Sequence, residues 1–115
     1  MNKQRIAGVE KEISRVLSRL FFEEIKNPKI NGMVSVTKLR VAPDLKTAKV
    51  YLSVLDLRPG DNRAEIEQGF KEIRGFLRKR VSEEMSLRYI PEFTLILDDS
   101  IEYGVKINKM IKDLK

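Results

Sequence analysis

The chain has 115 residues, an ordinary single-domain length, and it carries a formal net charge of +6. It contains no cysteine and no histidine, which excludes disulfides, cysteine-based zinc sites and every Ser-His or Cys-His catalytic pair. No apolar run reaches the roughly 18 residues of a membrane span, so we expect a soluble cytoplasmic protein that does not contact a membrane. The positive charge favours a polyanionic partner, most often a nucleic acid.

The first half of the chain predicts one long helix followed by a hairpin. Apolar residues recur at steps of three and four from about Lys3 to Ile25, which indicates an amphipathic helix that ends before Pro28. The segment "MVSVTKLRV" alternates but changes phase, as a strand with a bulge does. After the turn "APDL", apolar residues from Ala48 to Val54 follow period two, which predicts an antiparallel hairpin with one buried face.

The second half predicts further helix, a short strand and a last helix. Asn62 followed by Glu65 fits a capping box at the start of a helix, and an apolar stripe follows it. The segment "FTLILD" is typical of a short buried strand, and the apolar spacing over residues 105–114 predicts a last amphipathic helix. No linker or repeat interrupts the sequence, so we expect a single domain over residues 1–115.

Gly75 lies in the middle of the second helical segment, in the stretch "KEIRGFLRKRV". A glycine inside a helix costs about 1 kcal/mol relative to alanine, so its presence needs a reason. One explanation is close packing, where another element crosses the helix and leaves no room for a side chain. The other is an interruption, with two short helices meeting at Gly75 and exposing backbone N–H groups that attract phosphate.

Positive charge is concentrated around this glycine. Lys71, Arg74 and Arg78 are spaced three and four apart, so they share one helix surface. Like charges at that spacing destabilise a helix slightly, which is easier to understand if an anion neutralises them. A solvated basic face is the other explanation. The candidate RNA-binding residues of this segment are Lys71, Arg74, Gly75, Arg78, Lys79 and Arg80.

Two helices that meet at a glycine-bearing bend, beside a small sheet, are the arrangement with which KH-type modules hold RNA. The bend in those modules normally carries a GxxG loop, which this chain lacks. The predicted fold is therefore α+β, a single KH-like domain with the order α-β-β-α-kink-α-β-α. Its sheet is expected to have three strands, with the helices packed on one face.

Four segments of the chain, "NPKI", "VAPDLKTAKVYLSV", "GFLR" and "LRYIPEFTLILDDSIEYG", resemble the bacterial ribosome-binding factor A family of small-subunit assembly factors. The resemblance covers essentially the whole chain. It implies a KH-like fold of the type in which a helix and a hairpin come first. In that family an Ala-x-Gly bend replaces the GxxG loop; here Gly75 matches the glycine, and Ile73 stands where the family usually has alanine.

The resemblance also implies a function. It predicts a factor that associates with free or immature small (30S) ribosomal subunits and contacts 16S rRNA. Such a factor supports late subunit maturation, including processing of the 5′ end of 16S rRNA, and is not itself a nuclease. The expected partners are the small subunit and its rRNA rather than DNA, and the expected state is a monomer.

Other basic residues have two explanations each. Arg88 lies beside Tyr89 and could stack on an unpaired base, or it could pair with an acid while Tyr89 packs on the core. Lys11, Arg15 and Arg19 form a row on the first helix that favours a solvated ion-pair face. The cations of the hairpin could extend an RNA surface or protect a sheet edge. These cations are Lys38, Arg40, Lys46 and Lys49.

Three other functions fit parts of the sequence. An RNA-processing nuclease would need histidine or clustered acids, and the adjacent Asp98 and Asp99 point to opposite faces of a strand, with Asp99 explained as a helix cap. No catalytic residue, metal site or cofactor is therefore expected. A protein-interaction module would use the long first helix. A DNA-binding protein would need a helix-turn-helix spacing that is not evident.

Overall fold

In a computed structural model of the chain, residues 3–87 and 89–98 are described. They form helix α1 (Lys3–Glu23), strands β1 (Met33–Val41) and β2 (Thr47–Leu55), helix α2 (Arg63–Glu84) and strand β3 (Glu92–Leu97). The strands form one sheet in the order β1-β2-β3. β1 pairs antiparallel with β2, whereas β3 pairs parallel with β2. Helix α2 supplies the crossover connection that a parallel pair requires.

This architecture confirms the predicted α+β class, the hairpin and the three-stranded sheet. The predicted bulge is also confirmed, because the β1–β2 register shifts between Val36 and Lys38. The predicted last helix at residues 105–114 lies outside the described residues, and so does the predicted cap at Asp99. Neither of the described helices is long and apolar enough to cross a membrane.

Both helices cover the same face of the sheet. Alternate residues of β2, from Ala48 to Val54, are buried and pack against the apolar stripes of α1 and α2. Burying large side chains such as Leu17 and Phe70 stabilises the fold by about 1.5–3 kcal/mol each. The side chains of the residues between these buried positions lie on the opposite face of the sheet, away from both helices.

Helix α2 continues without a break through Gly75, so the predicted kink between two short helices is wrong. The physical reason is the apolar stripe: Ile73 and Leu77, on either side of the glycine, are both buried on one helical face. Close packing at Gly75 is wrong as well, because a Cβ there would meet no atom within 4 Å. Close packing is found at Gly69 instead, where a Cβ would lie 2.7 Å from Ile30 Cγ1.

Helix α2 begins at Arg63 with Asn62 as its N-cap residue, close to where the sequence places the helix start. The predicted capping box is not formed, since the Asn62 side chain makes no capping hydrogen bond. Its amide instead reaches the carbonyl oxygens of Arg58 and Pro59, each at 3.5 Å. The carboxylate of Asp61 accepts a hydrogen bond from the Arg63 N–H at 3.1 Å, and so replaces part of the missing cap.

Candidate nucleic-acid interface

Basic side chains line the part of α2 that faces away from the core. Lys71, Arg74, Arg78 and Lys79 are all exposed, and we call these four residues the α2 cationic surface. Within residues 3–87 and 89–98, none of the four forms an ion pair with a carboxylate. The surface therefore keeps its full positive charge within the described part of the chain, as a polyanion-binding surface requires.

Arg78 connects this surface to the loop between α2 and β3. Its Nη2 donates a hydrogen bond to the Ile90 carbonyl oxygen at 3.1 Å. A guanidinium has five N–H donors, so this bond fixes the position of Arg78 and leaves donors available to an anion. A positioned guanidinium can contact a phosphate through two parallel hydrogen bonds.

A groove of about 760 Å³ runs beside Gly75. It lies between α2, the β1–β2 turn and the loop that precedes β3. Because a Cβ at Gly75 would meet nothing within 4 Å, the glycine leaves the α2 backbone open to this groove. Besides Gly75 and Arg78, the lining consists of Asp44, Leu45, Lys46, Lys79, Ser82, Tyr89 and Ile90.

The groove combines apolar surface with positive charge. Leu45 and Ile90 are half-buried, and the Tyr89 side chain is 67% exposed. Lys46 adds a third cation to those that α2 contributes, and its backbone N–H is held by the Asp44 carboxylate at 3.0 Å. Aromatic and apolar surface next to cations can accept an unpaired base together with its phosphate.

Arg80 lies on a different side of α2 from the other predicted cations. Its guanidinium donates to the carboxylates of Glu24 on the α1 side, at 2.9 Å, and of Glu83, at 2.7 Å. These bonds hold the pKa of Arg80 above its ordinary value, and Arg80 in turn holds the pKa of Glu24 below its usual range. The charge of Arg80 is thus matched by carboxylates. Its ion pair with Glu24 links α2 to the C-terminal end of α1.

The basic row on α1 is paired in a similar way. Arg15 bonds to Glu12 at 2.5 Å and Arg19 to Glu23 at 2.9 Å, which confirms the predicted ion-pair face for these two residues. Such exposed pairs contribute little to stability. They match the charges of Arg15 and Arg19, whereas the four cations of the α2 cationic surface have no carboxylate partner in the described part of the chain.

Arg88 lies outside the described residues, so its predicted contact with RNA stays a prediction. Its neighbour Tyr89 is described, and its 67% exposure shows that packing of this ring on the core is wrong. The groove cannot be recognised from the sequence, because its walls come from three separate segments. Its only signals were the turn "APDL" and the hairpin cation Lys46. Among the described residues, no group of three or more acidic side chains could hold a metal ion.

These observations define a class of protein, a KH-like α+β domain with a cationic helix beside an open groove. The chain belongs to the ribosome-binding factor A family, whose profile matches residues 5–111. Ribosome-binding factor A of Fusobacterium nucleatum subsp. nucleatum is 50% identical over 119 residues, which cover 100% of this chain and 99% of that protein.

Solved structures from the same family share the fold. The crystal structure of ribosome-binding factor A from Thermus thermophilus superimposes with a TM-score of 0.68 at 15% identity, covering 80% of this chain and 93% of that one. A homology model of the Thermus thermophilus factor, fitted into the cryo-EM map of a complex with the 30S subunit, gives a TM-score of 0.64 at 15% identity. That comparison covers 82% of this chain and 96% of the other.

Proposed function

We propose that this chain binds the small ribosomal subunit during assembly and contacts its 16S rRNA through the α2 cationic surface and the groove beside Gly75. One observation carries the proposal: exposed cations without carboxylate partners in the described part of the chain surround an open stretch of helix backbone. Membership of the ribosome-binding factor A family supports the ribosome as partner. The related Thermus thermophilus factor in complex with 30S supports the small subunit in particular.

The proposed action is binding rather than catalysis. In this proposal the chain is a cytoplasmic monomer that joins free or immature subunits. By holding rRNA in place, it supports late maturation of the subunit, including processing of the 5′ end of 16S rRNA by a separate nuclease. The chain itself breaks no bond.

Each residue of the proposed interface has its own part. Lys71, Arg74, Arg78 and Lys79 contact phosphates, and Gly75 lets the sugar-phosphate backbone come close to the helix. Arg80 holds α2 against α1 through its bonds to Glu24 and Glu83. Arg88 remains a candidate for stacking, from its place in the sequence next to the exposed ring of Tyr89.

Binding to purified bacterial small subunits should weaken steeply with salt. The four phosphate contacts of the α2 cationic surface alone contribute a slope of about −3, on irregular RNA, to a plot of log K against log salt concentration. Titrations by co-sedimentation at several potassium chloride concentrations would measure this slope. A flat response would contradict an interface built on phosphate contacts, whichever residues formed it.

Replacing Gly75 by alanine should change protein stability and subunit binding in opposite directions. With open space around the new Cβ, the change should stabilise the protein by about 1 kcal/mol, or about 4 °C in Tm. The added methyl group should weaken subunit binding about fivefold, the equivalent of one lost hydrogen bond of about 1 kcal/mol. Thermal unfolding and co-sedimentation would measure the two effects.

Gly8→Ala is the matched control for this variant. Gly8 also lies on an exposed helical position, on α1, and a Cβ there meets nothing within 4 Å. It should give the same gain in Tm with unchanged binding. Equal binding by both variants would show that no RNA backbone approaches α2 at Gly75.

A further inference from the structure

A second group of cations lies on the sheet face opposite the helices. Lys38 and Arg40 on β1 and Lys49 on β2 alternate with buried core residues and are all exposed. Within the described ranges, none of the three pairs with a carboxylate. Toward other described residues, the Arg40 side chain makes only a long hydrogen bond, at 3.4 Å, to the carbonyl oxygen of Leu39. Together with Tyr51, these three residues form what we call the sheet-face patch.

The patch is arranged at a cost to stability. Arg40 and Lys49 are direct cross-strand partners, and like charges in that position destabilise a sheet. Lys38 pairs with Tyr51 across the strands, and its Nζ lies 5.6 Å from the centre of the Tyr51 ring. A cation–π contact partly offsets the cost for Lys38, whereas Arg40 and Lys49 have no such compensation in the described part of the chain.

Protection of a sheet edge does not account for the whole patch. β1 is an edge strand, and exposed charges on an edge strand discourage pairing with other chains. This reason applies to Lys38 and Arg40. It does not apply to Lys49, because β2 is the central strand of the sheet.

We propose that the sheet-face patch binds a second RNA segment, so that the chain bridges two segments of the subunit RNA. The three cations would contact successive phosphates, and the Tyr51 ring offers a surface on which an unpaired base can stack. Described carboxylates occur on this face at the ends of β3, where Glu92 lies beside Thr47 and Asp98 bonds to Thr37. The middle of the patch is therefore positive. The inference rests on the proposed function only in taking the anion to be RNA.

The α2 cationic surface and the sheet-face patch face opposite directions, so one straight strand of RNA cannot contact both. They lie on opposite sides of the fold, with the sheet and a helix layer of about 10 Å between them. That separation exceeds the Debye length of about 8 Å at physiological ionic strength. Each surface therefore acts on its own partner, and their contributions to binding should add.

Photo-crosslinking from single cysteines tests the bridge directly, since the natural chain has no cysteine to remove. Thr94→Cys places a benzophenone label beside Lys49 on the sheet face, and Ser82→Cys places one at the groove. Ser18→Cys, at an exposed position on α1, is the matched control. Each labelled protein would be bound to purified small subunits and irradiated, and the crosslinked nucleotides mapped by primer extension.

We expect crosslinks to 16S rRNA from both the Thr94→Cys and the Ser82→Cys variants, at two separate sets of nucleotides, and none from the α1 control. Crosslinks from Ser82→Cys alone would overturn the bridge and leave the proposed function standing. Crosslinks from Thr94→Cys alone would support the sheet-face patch and contradict the groove as an RNA site. Thr94→Cys crosslinking only to a ribosomal protein would overturn the assignment of RNA to this face.

Neutralising the patch gives a second measurement. Arg40→Gln with Lys49→Gln should reduce subunit affinity about tenfold and lower the salt slope by about 1.4 to 1.8, for two lost phosphate contacts. Lys11→Gln with Lys26→Gln removes the same charge at exposed positions elsewhere and should change both quantities little. Equal affinities for the two variants would overturn the proposal. Self-association of the Arg40→Gln, Lys49→Gln variant with unchanged subunit binding would also overturn the proposal. It would show that these charges protect the sheet edge from pairing with other chains.

Discussion

Changing Arg74 and Arg78 together to glutamate should reduce the affinity for small ribosomal subunits by about 100-fold or more. Hydrogen bonds to charged groups contribute about 1.5–3 kcal/mol each, and about 1.4 kcal/mol corresponds to a factor of ten. The reversed charges also repel the phosphates that the arginines would have contacted. Co-sedimentation with purified subunits at fixed salt would measure the loss.

The same variant should remain folded, because both side chains are exposed and neither pairs with a described carboxylate. Lys11→Glu with Lys26→Glu makes an equal change in net charge at exposed positions away from α2 and is the matched control. Thermal unfolding of all three proteins would check that the fold is intact. Comparable binding by the two variants would place the rRNA contact elsewhere on the molecule.

Replacing Gly32 by alanine should cost about 3 to 5 kcal/mol of unfolding free energy, or at least about 12 °C in Tm. Gly32 precedes β1 with φ of 128°, a backbone conformation that other residues rarely adopt. A Cβ at this position would lie 2.0 Å from the carbonyl oxygen of Leu55. Because the obstacle is backbone rather than a flexible side chain, the end of the hairpin itself would have to move.

Gly60→Ala separates the two causes of that loss. Gly60 also has a positive φ, 89°, but a Cβ there meets nothing within 4 Å. It should therefore lose only the conformational contribution of about 1–2 kcal/mol. Urea unfolding of both variants would give the difference, and similar losses would mean that the hairpin relieves the overlap by shifting.

The helices, the hairpin and its bulge could be predicted because their signals are local. The apolar spacing of α1, the phase change in β1 and the strict alternation of β2 each depend on neighbouring residues. Which glycine of α2 is closely packed could not be predicted in this way. Gly69 and Gly75 have the same local character, and they are distinguished by Lys29 and Ile30, which reach α2 from the loop before β1.

The candidate site was only partly predictable for the same reason. The spacing of Lys71, Arg74 and Arg78 fixes their common surface once α2 is a helix. Nothing local distinguishes Arg78 from Arg80, yet Arg80 is matched by Glu24, which directly follows α1 and is remote in sequence. The groove depends on the parallel pairing of β3 with β2, which brings Tyr89 and Ile90 beside α2 and which the hydrophobic pattern does not specify.

That parallel pairing has a consequence for how the chain acquires its selectivity as it folds. The hairpin forms from neighbouring segments, whereas β3 can dock only after α2 has crossed the sheet, and non-local pairings of this kind form slowly. A nascent or partly unfolded chain would already present the charges of α2 but would lack one wall of the groove. Such a chain would bind polyanions without selectivity. It would distinguish between RNA sites only after β3 has paired with β2.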